Sequence, residues 1–543
     1  MTDCVIQTRG VSKTYGKLKA LDGVSVNVRR GEIYGLIGDN GAGKTTLLKA
    51  LVGHIWPDEG DIGILSREGR QLCAARRQVG AMIEKVGAFP NLSVEKNIEY
   101  CRILKGIPDR KKTAEVIELV GLAEKAGARC SQLSMGMKQR LGLAIALIGE
   151  PQILILDEPI NGLDPSGIHE FRELLHRLNT QKNITILLSS HILSELQQTA
   201  TTFGFLAGGR LIEEISIQKL TEKCADYIEI ALSDVEKYAA LLERKCGSTP
   251  PGENPTNTAA LRRRTACSSA GWKATAAPSR TTICTSRRAG KMLNYIKSEF
   301  YRVVHSLSTY VTLGVFAALS LLVNCGLAIF GAINPAFAYN TTSFSMQFLM
   351  NIPTVFVCAA PILVYVLYEN VGKSGALKNA VAFGISREKL LLGQTVVSLV
   401  FCLAVLAVTE AVYFASAYAF LRFDPAISAA EVLLETACAL PSALAALVLA
   451  VVCVNVSDRS FVGVLIWMAV FYLVPYVCRW VGYQVDFFAD IAAWMPMNFM
   501  DMQNAEVIFW RAGEGVLKCL VAGGAGIVVF GAAGWLALRR KEI

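Results

Sequence analysis

Over the first 225 residues, short apolar runs alternate with polar, glycine-bearing turns. Ile33-Tyr34-Gly35-Leu36-Ile37, Val79-Gly80-Ala81-Met82-Ile83, Ile153-Leu154-Ile155-Leu156 and Ile184-Thr185-Ile186-Leu187-Leu188 are too short for helices. Continuous apolar runs of this length suit strands buried on both faces of a parallel sheet. The stretch Leu141-Gly142-Leu143-Ala144-Ile145-Ala146-Leu147 instead reads as a buried helix. The second half is different in kind. Residues 303–368 contain no Asp, Glu, Lys or Arg over 66 positions. One crossing takes about 20 residues, so this run predicts two spans, 309–332 and 348–368, parted by Asn334-Pro335 and Asn340-Thr341-Thr342. Further spans are predicted at 390–418, 436–456, 460–478 and 517–538.

Composition supports a membrane part: 52% of the 543 residues are hydrophobic. The formal charge of +9 at first suggests a polyanion partner, but its distribution removes that reading. Residues 247–291 carry a net +7, leaving +2 for everything else, so no nucleic-acid partner is expected. The fifteen cysteines are scattered, with none at Cys-x-x-Cys spacing, which argues against a disulfide framework or zinc site. Met1-Thr2-Asp3-Cys4 offers neither a basic nor an apolar leader region, so the first half is expected in the cytoplasm.

The candidate chemistry begins at Gly38-Asp39-Asn40-Gly41-Ala42-Gly43-Lys44-Thr45-Thr46, between a predicted strand and a predicted helix. This spacing makes a phosphate-binding loop: glycines let the backbone N–H groups turn inward, Lys44 reaches the β- and γ-phosphates, and Thr45 helps hold Mg²⁺. Leu133-Ser134-Met135-Gly136 opens the apolar helix, with Ser134 as a natural N-cap and a second anion site. The strand 153–156 ends in Asp157-Glu158. Neighbouring strand residues point to opposite sides, so Asp157 can serve Mg²⁺ while Glu158 deprotonates water. Asn161-Gly162-Leu163-Asp164 is a tight turn, and His191 lies at the carboxyl end of a strand, where parallel sheets bind ligands.

These segments, in this order over about residues 4–225, closely resemble the nucleotide-binding domain of ABC transporters. The resemblance implies a P-loop NTPase fold with a mostly parallel sheet and a helical subdomain, and ATP as the nucleotide. By the same resemblance, Tyr15 stacks on adenine, Gly38, Asn40, Gly41, Gly43, Lys44, Thr45 and Thr46 cradle the phosphates, and Glu158 is the catalytic base. His191 contacts the γ-phosphate, Asp164 signals across a dimer, and Ser134 and Gly136 complete the ATP site of a second copy. The signature keeps its serine and one glycine, and Glu84 stands where most members carry a Mg²⁺-sensing Gln. Glu84 is therefore grouped with Thr45 and Asp157 as a candidate metal residue. Ile83-Glu84 with Gly136-Met137-Lys138-Gln139-Arg140 resembles the subgroup that exports bacitracin and lantibiotics.

Three regions follow: an ATPase domain at 1–246, a Thr-, Ala-, Ser- and Arg-rich linker at 247–291, and a permease domain at 292–543. The linker has too few large apolar side chains to offset its ordering entropy. Met292 reads as the start of a separate permease, so the linker is a candidate frameshift-derived fusion scar. The four segments expected on the cytoplasmic side hold eleven Lys or Arg and the opposite three hold four, which places both termini inside the cell. The loop 369–389 resembles the cytoplasmic connection by which type-2 permeases meet the ATPase. Glu410, a charge inside the third predicted span, is the first candidate for the substrate path. Glu431 and Glu435 are expected to share a solvated helix face.

The expected protein is thus a half-size, membrane-embedded ABC exporter working as a homodimer, with an amphipathic or antimicrobial peptide as cargo. A membrane-bound antibiotic sensor is the alternative, and a soluble-type ATPase acting on ribosomes or DNA is a further one.

Overall fold

The computed structural model describes residues 4–84, 86–224, 281–334, 336–349, 359–368, 375–457, 460–495 and 514–540. Strands β1 (Cys4–Tyr15), β2 (Leu18–Val24), β3 (Asn27–Arg29), β5 (Glu59–Ile64) and β6 (Arg67–Glu68) make an antiparallel sheet. The second sheet has the order β11-β10-β4-β9-β8-β7. Its members are β4 (Ile33–Ile37), β7 (Val79–Met82), β8 (Ile153–Asp157), β9 (Thr185–Ser190), β10 (Thr202–Ala207) and β11 (Arg210–Ser216). All neighbours are parallel except β10 and β11.

The four apolar runs are therefore strands of one sheet. Every residue of β4, β8 and β9 is buried, as two-sided packing requires. The register sets Ile37 beside Ser190 and Asp157 beside Ser189, so these three strands end at one edge. The buried helix is Met135–Leu147, capped by Ser134, whose Oγ accepts from the Met137 N–H at 3.3 Å. Asp164 caps helix Pro165–Lys182 in the same way, through the Gly167 N–H.

Beyond the ATPase-like domain the described residues are helical. Among the described residues, five helices are long and apolar enough to cross a membrane: Leu307–Ile333, Arg387–Phe420, Ala439–Val456, Phe461–Gly482 and Cys519–Ala537. They coincide with five of the six expected spans. The remaining one, 348–368, is described only at 348–349 and over Ala359–Tyr368, and residues 350–358 lie outside the described residues. Most of the 247–291 segment is also outside them, while 281–291 opens helix Thr281–Val304. Glu431 is exposed on helix Ala429–Val456, as a solvated face requires, and it also forms a capping box with Ser428, exchanging backbone and side-chain bonds of 3.0 and 3.3 Å. The side chain of Glu435 lies outside the described residues.

One apolar core joins the two halves. It contains Ile98, Tyr100, Leu141 and Leu156 from the sheet domain, together with Tyr295, Val303, Phe383 and Val397 from the helical one.

Candidate functional site

The loop after β4 turns by left-handed backbone at Gly41 and Gly43 (φ 86° and 104°), a region open to glycine at little cost. Gly38 and Gly43 are also sterically required. A Cβ at Gly38 would run into the Leu206 carbonyl, and one at Gly43 into the Ala20 carbonyl. Lys44 is buried, and its ammonium donates to the carbonyls of Gly38 at 2.6 Å and Asp39 at 3.1 Å. It also lies 3.6 Å from Glu158 Oε1.

Thr45 Oγ1 donates to Asp157 Oδ2 at 2.9 Å, while Ser189 Oγ holds the other oxygen, Oδ1, at 2.6 Å. The same Ser189 hydroxyl accepts from the Glu158 N–H at 3.0 Å. Ser189 is fully buried, so it fixes both acids at the end of β8. Glu158 takes a left-handed backbone (φ 46°), a strained conformation for a side-chain-bearing residue that is tolerated where the surroundings hold it. Its carboxylate receives Asn161 Nδ2 at 3.1 Å and lies 3.4 Å from His191 Nδ1. Lys44, Thr45, Asp157, Glu158 and His191 are thus one bonded constellation at the carboxyl edge of the sheet.

The other expected site residues sit apart from it. Tyr15, 40% exposed, ends β1 with Lys13 Nζ 5.4 Å from its ring centroid. Ser134 and Gly136 lie beside the 161–164 turn: a Cβ on Gly136 would meet Leu163 at 3.3 Å. Among the described residues no bond of either reaches the phosphate loop of the same chain. Glu84 is also elsewhere. Just beyond β7, with φ 61°, its two carboxylate oxygens pair with Lys49 and Lys378 rather than with Thr45 or Asp157. Burial alone would raise the Glu84 pKa, but the hydrogen bonds from Lys378 and Lys49 outweigh it and hold it at about 2. Glu410 is buried in helix Arg387–Phe420 and accepts from Thr436 Oγ1 at 2.9 Å.

Lys378 belongs to helix Ala376–Ala382, inside the 369–389 loop, and this loop docks on the sheet domain. Asn379 Nδ2 donates to the Gly87 carbonyl at 2.8 Å and Arg387 to the His54 carbonyl at 3.1 Å. His54 Nε2 lies 3.0 Å from the Lys378 carbonyl. A second contact runs through helix Thr281–Val304: Tyr100 OH donates to Glu299 Oε1 at 2.7 Å, and Arg302 pairs with Glu299 at 2.7 Å. Arg302 also donates to the Leu367 carbonyl at 2.8 Å, with its guanidinium 5.5 Å from the ring centroid of Phe89. His54, Tyr100 and the Glu299–Arg302 pair were not singled out from sequence. The readable signal was the Glu-x-x-Arg spacing just ahead of the charge-free run, since residues three apart share a helix face.

A phosphate loop with its lysine, a Thr–Asp pair and a Glu–His pair at the end of a parallel sheet define a P-loop ATPase, here joined to a bundle of apolar helices. Residues 21–161 match the family model described as ABC transporter. Over 241 residues the chain is 42% identical to the bacitracin transport ATP-binding protein BcrA of Bacillus licheniformis, covering 44% of this chain and 79% of that protein. Over 210 residues it is 39% identical to the lantibiotic transport ATP-binding protein SrtF of Streptococcus pyogenes, covering 39% of this chain and 90% of that one. The chain belongs to the ABC transporter family, and it is an ATP hydrolase of the transport type.

Proposed function

We propose that this protein is an ATP-driven exporter that works as a pair of identical chains and removes antimicrobial or similar amphipathic peptides from the cell membrane. The observation that carries the reading is one chain holding both the bonded Lys44–Glu158–His191 constellation and a helical bundle docked on it through Glu84 and Lys378. The likeness to bacitracin and lantibiotic transport ATP-binding proteins supports the cargo class. On this reading the chain spans the membrane six times with both termini in the cytoplasm, residues 1–246 are the ATPase, 292–543 the permease, and 247–291 the link between them.

In the mechanism, Lys44 and the inward N–H groups of the loop bind the phosphates, and Tyr15 offers an exposed ring to the base. Thr45 Oγ1 and Asp157 Oδ2 are hard oxygen donors 2.9 Å apart, which fits a small divalent cation such as Mg²⁺. When bound, that ion supplies charge neutralisation for the phosphates. Glu158 accepts the proton of the attacking water, and His191 orients the carboxylate from 3.4 Å. Ser134 and Gly136, displaced from their own loop, serve the nucleotide of the second copy, so ATP binding draws two chains together. The docked loop then carries closure and release to the helices.

The test is uptake of labelled bacitracin and of a lantibiotic into inside-out vesicles. ATP-dependent accumulation that vanishes with Lys44→Ala is expected. A protein that hydrolyses ATP but accumulates neither peptide would refute the cargo assignment.

A further inference from the structure

Polar side chains form a belt across the end of the helical bundle remote from the ATPase. Asn324, on helix Leu307–Ile333, donates to the Tyr413 carbonyl at 3.0 Å and to Ser416 Oγ at 2.8 Å. Its amide oxygen accepts from Ser345 Oγ at 2.6 Å, and Tyr413 OH donates to the Ser345 carbonyl at 3.1 Å. Asn324 and Ser345 are fully enclosed. The belt therefore ties helices Leu307–Ile333, Thr342–Leu349 and Arg387–Phe420 together, with the Asn324 amide satisfied on both its oxygen and its nitrogen. Such a network is a stiff frame, because any displacement would strand polar groups away from water.

Glu410 lies one turn from Tyr413 on the same face and is the exception. Its Oε1 takes the Thr436 hydroxyl, but among the described residues nothing donates to Oε2, and no Lys, Arg or His pairs with the carboxylate. A carboxylate held in such surroundings by one neutral hydroxyl is costly to keep charged, and the charge is relieved either by a proton or by a cation that joins it. Its position narrows the source of that cation. Arg387, which touches the ATPase domain, lies about 35 Å down the helix at 1.5 Å per residue, so Glu410 is at the far side from the ATPase. Thr436 lies only about 10 Å along helix Ala429–Val456 from its first residue at 1.5 Å per residue, which puts the pair near the end of the bundle remote from the ATPase.

We propose that Glu410, oriented by Thr436 and framed by the Asn324–Ser345–Tyr413 belt, is the acceptor for the ammonium or guanidinium group of an amphipathic cation. The apolar part of the cation lies among the surrounding helices. The proposal rests on the transport reading above and specifies the substrate chemistry of its membrane half. It assigns the carboxylate to cargo recognition and leaves the ATP site untouched.

The experiment uses the full chain in lipid nanodiscs, with dodecylammonium as the cationic probe and dodecanol as its neutral counterpart. Saturable binding of dodecylammonium is expected, weakened about ten-fold or more by Glu410→Gln and less by Glu410→Asp, since a charge-assisted pair is lost or lengthened. Dodecanol binding should be the same in all three. Glu410→Gln keeps an acceptor for Thr436, and Glu410→Asp keeps the charge if the first variant fails to fold. Equal dodecylammonium binding by wild type and Glu410→Gln, or no saturable binding by wild type, would overturn the inference. Stimulation of ATP hydrolysis by bacitracin is measured alongside. If bacitracin has no effect while dodecylammonium binding depends on Glu410, the peptide-cargo reading falls and the cation site stands.

Discussion

Glu84, at the end of an ATPase strand, forms an ion pair with Lys378, on the short helix that joins two helices of the bundle. The other oxygen of the same carboxylate pairs with Lys49, one turn along the helix that starts at the phosphate loop. The carboxylate is therefore a bridge between the helix that follows the phosphate loop and the bundle of apolar helices. An amide at this position could accept one lysine but could not balance two positive charges. This gives the acid in place of the usual glutamine a physical reason.

Lys378→Ala should leave ATP binding unchanged and lower cargo-stimulated ATP turnover several-fold. Because the Glu84 side chain is 37% exposed, salt should weaken the bridge as well. Stimulated turnover measured at low and high ionic strength checks both points, and a variant as responsive as wild type would remove the bridge from coupling. The Glu84 carboxyl is held at about 2, below its ordinary value of 4.5. The stability this contributes is complete above the ordinary value and is lost only as pH falls through about 2. The bridge should therefore add no pH dependence between 5 and 8.

His54 gives the docked loop a different response to acid. Burial lowers its pKa to about 4, the Lys378 and Lys49 charges act in the same direction, and the Lys378 carbonyl and the Glu84 charge oppose them. Nε2 faces the Lys378 carbonyl while Nδ1 is enclosed with no partner, so a second proton would have nowhere to bond. In the unfolded chain the ring takes its proton near 6.5, so that state holds more protons between 4 and 6.5, and stability rises with pH across this window. The full effect is on the order of 3 kcal/mol. Thermal unfolding of the full chain from pH 4 to 8 should show the rise, and His54→Gln should flatten it.

The Glu299–Arg302 pair is enclosed, with Glu299 at 0% and Arg302 at 7% exposure. Removing one member strands the other charge. Glu299→Ala should therefore destabilise the junction by about 3–5 kcal/mol, more than the loss of the Tyr100 hydrogen bond alone. Tyr100→Phe should cost about 1.5–3 kcal/mol, because its acceptor is charged. Unfolding midpoints of the two variants against wild type decide this, and similar small shifts would show the pair to be unimportant.

The sheet was legible because two-sided burial leaves continuous apolar runs, as in residues 153–156 and 184–188. The candidate site was legible because phosphate chemistry calls for particular residues at fixed spacing, from Gly38 to Thr46 and at Asp157-Glu158, and the fold brings those segments to one edge of the sheet. What the sequence hid was long-range. Ser189 reads as one more polar residue at a strand end, yet it holds Asp157 and the Glu158 backbone together. Glu84 reads as a metal ligand by its motif position, and only the chain fold brings Lys378 to it. The Ser428-x-x-Glu431 spacing carries the capping-box signal that starts helix Ala429–Val456.

The final prediction concerns whether one chain suffices. Glu158 is bonded to Asn161 and lies beside Lys44 and His191 of its own chain, whereas Ser134 and Gly136 sit by the 161–164 turn and, among the described residues, make no bond to the phosphate loop. If the second half of the site comes from another copy, blocking hydrolysis without blocking binding should capture the pair. Glu158→Gln removes the proposed base but keeps the side chain's shape and its acceptor for Asn161. Turnover should fall by about 10²–10⁴-fold, the usual contribution of a general base. ATP should remain bound, and the detergent-solubilised protein should run at twice the chain mass in ATP and at single-chain mass without it. Adding Ser134→Arg should abolish the ATP-dependent doubling, because a bulky cation would then sit where the partner's nucleotide must fit. A Glu158→Gln protein that binds ATP and stays at single-chain mass would show that Ser134 serves no second copy.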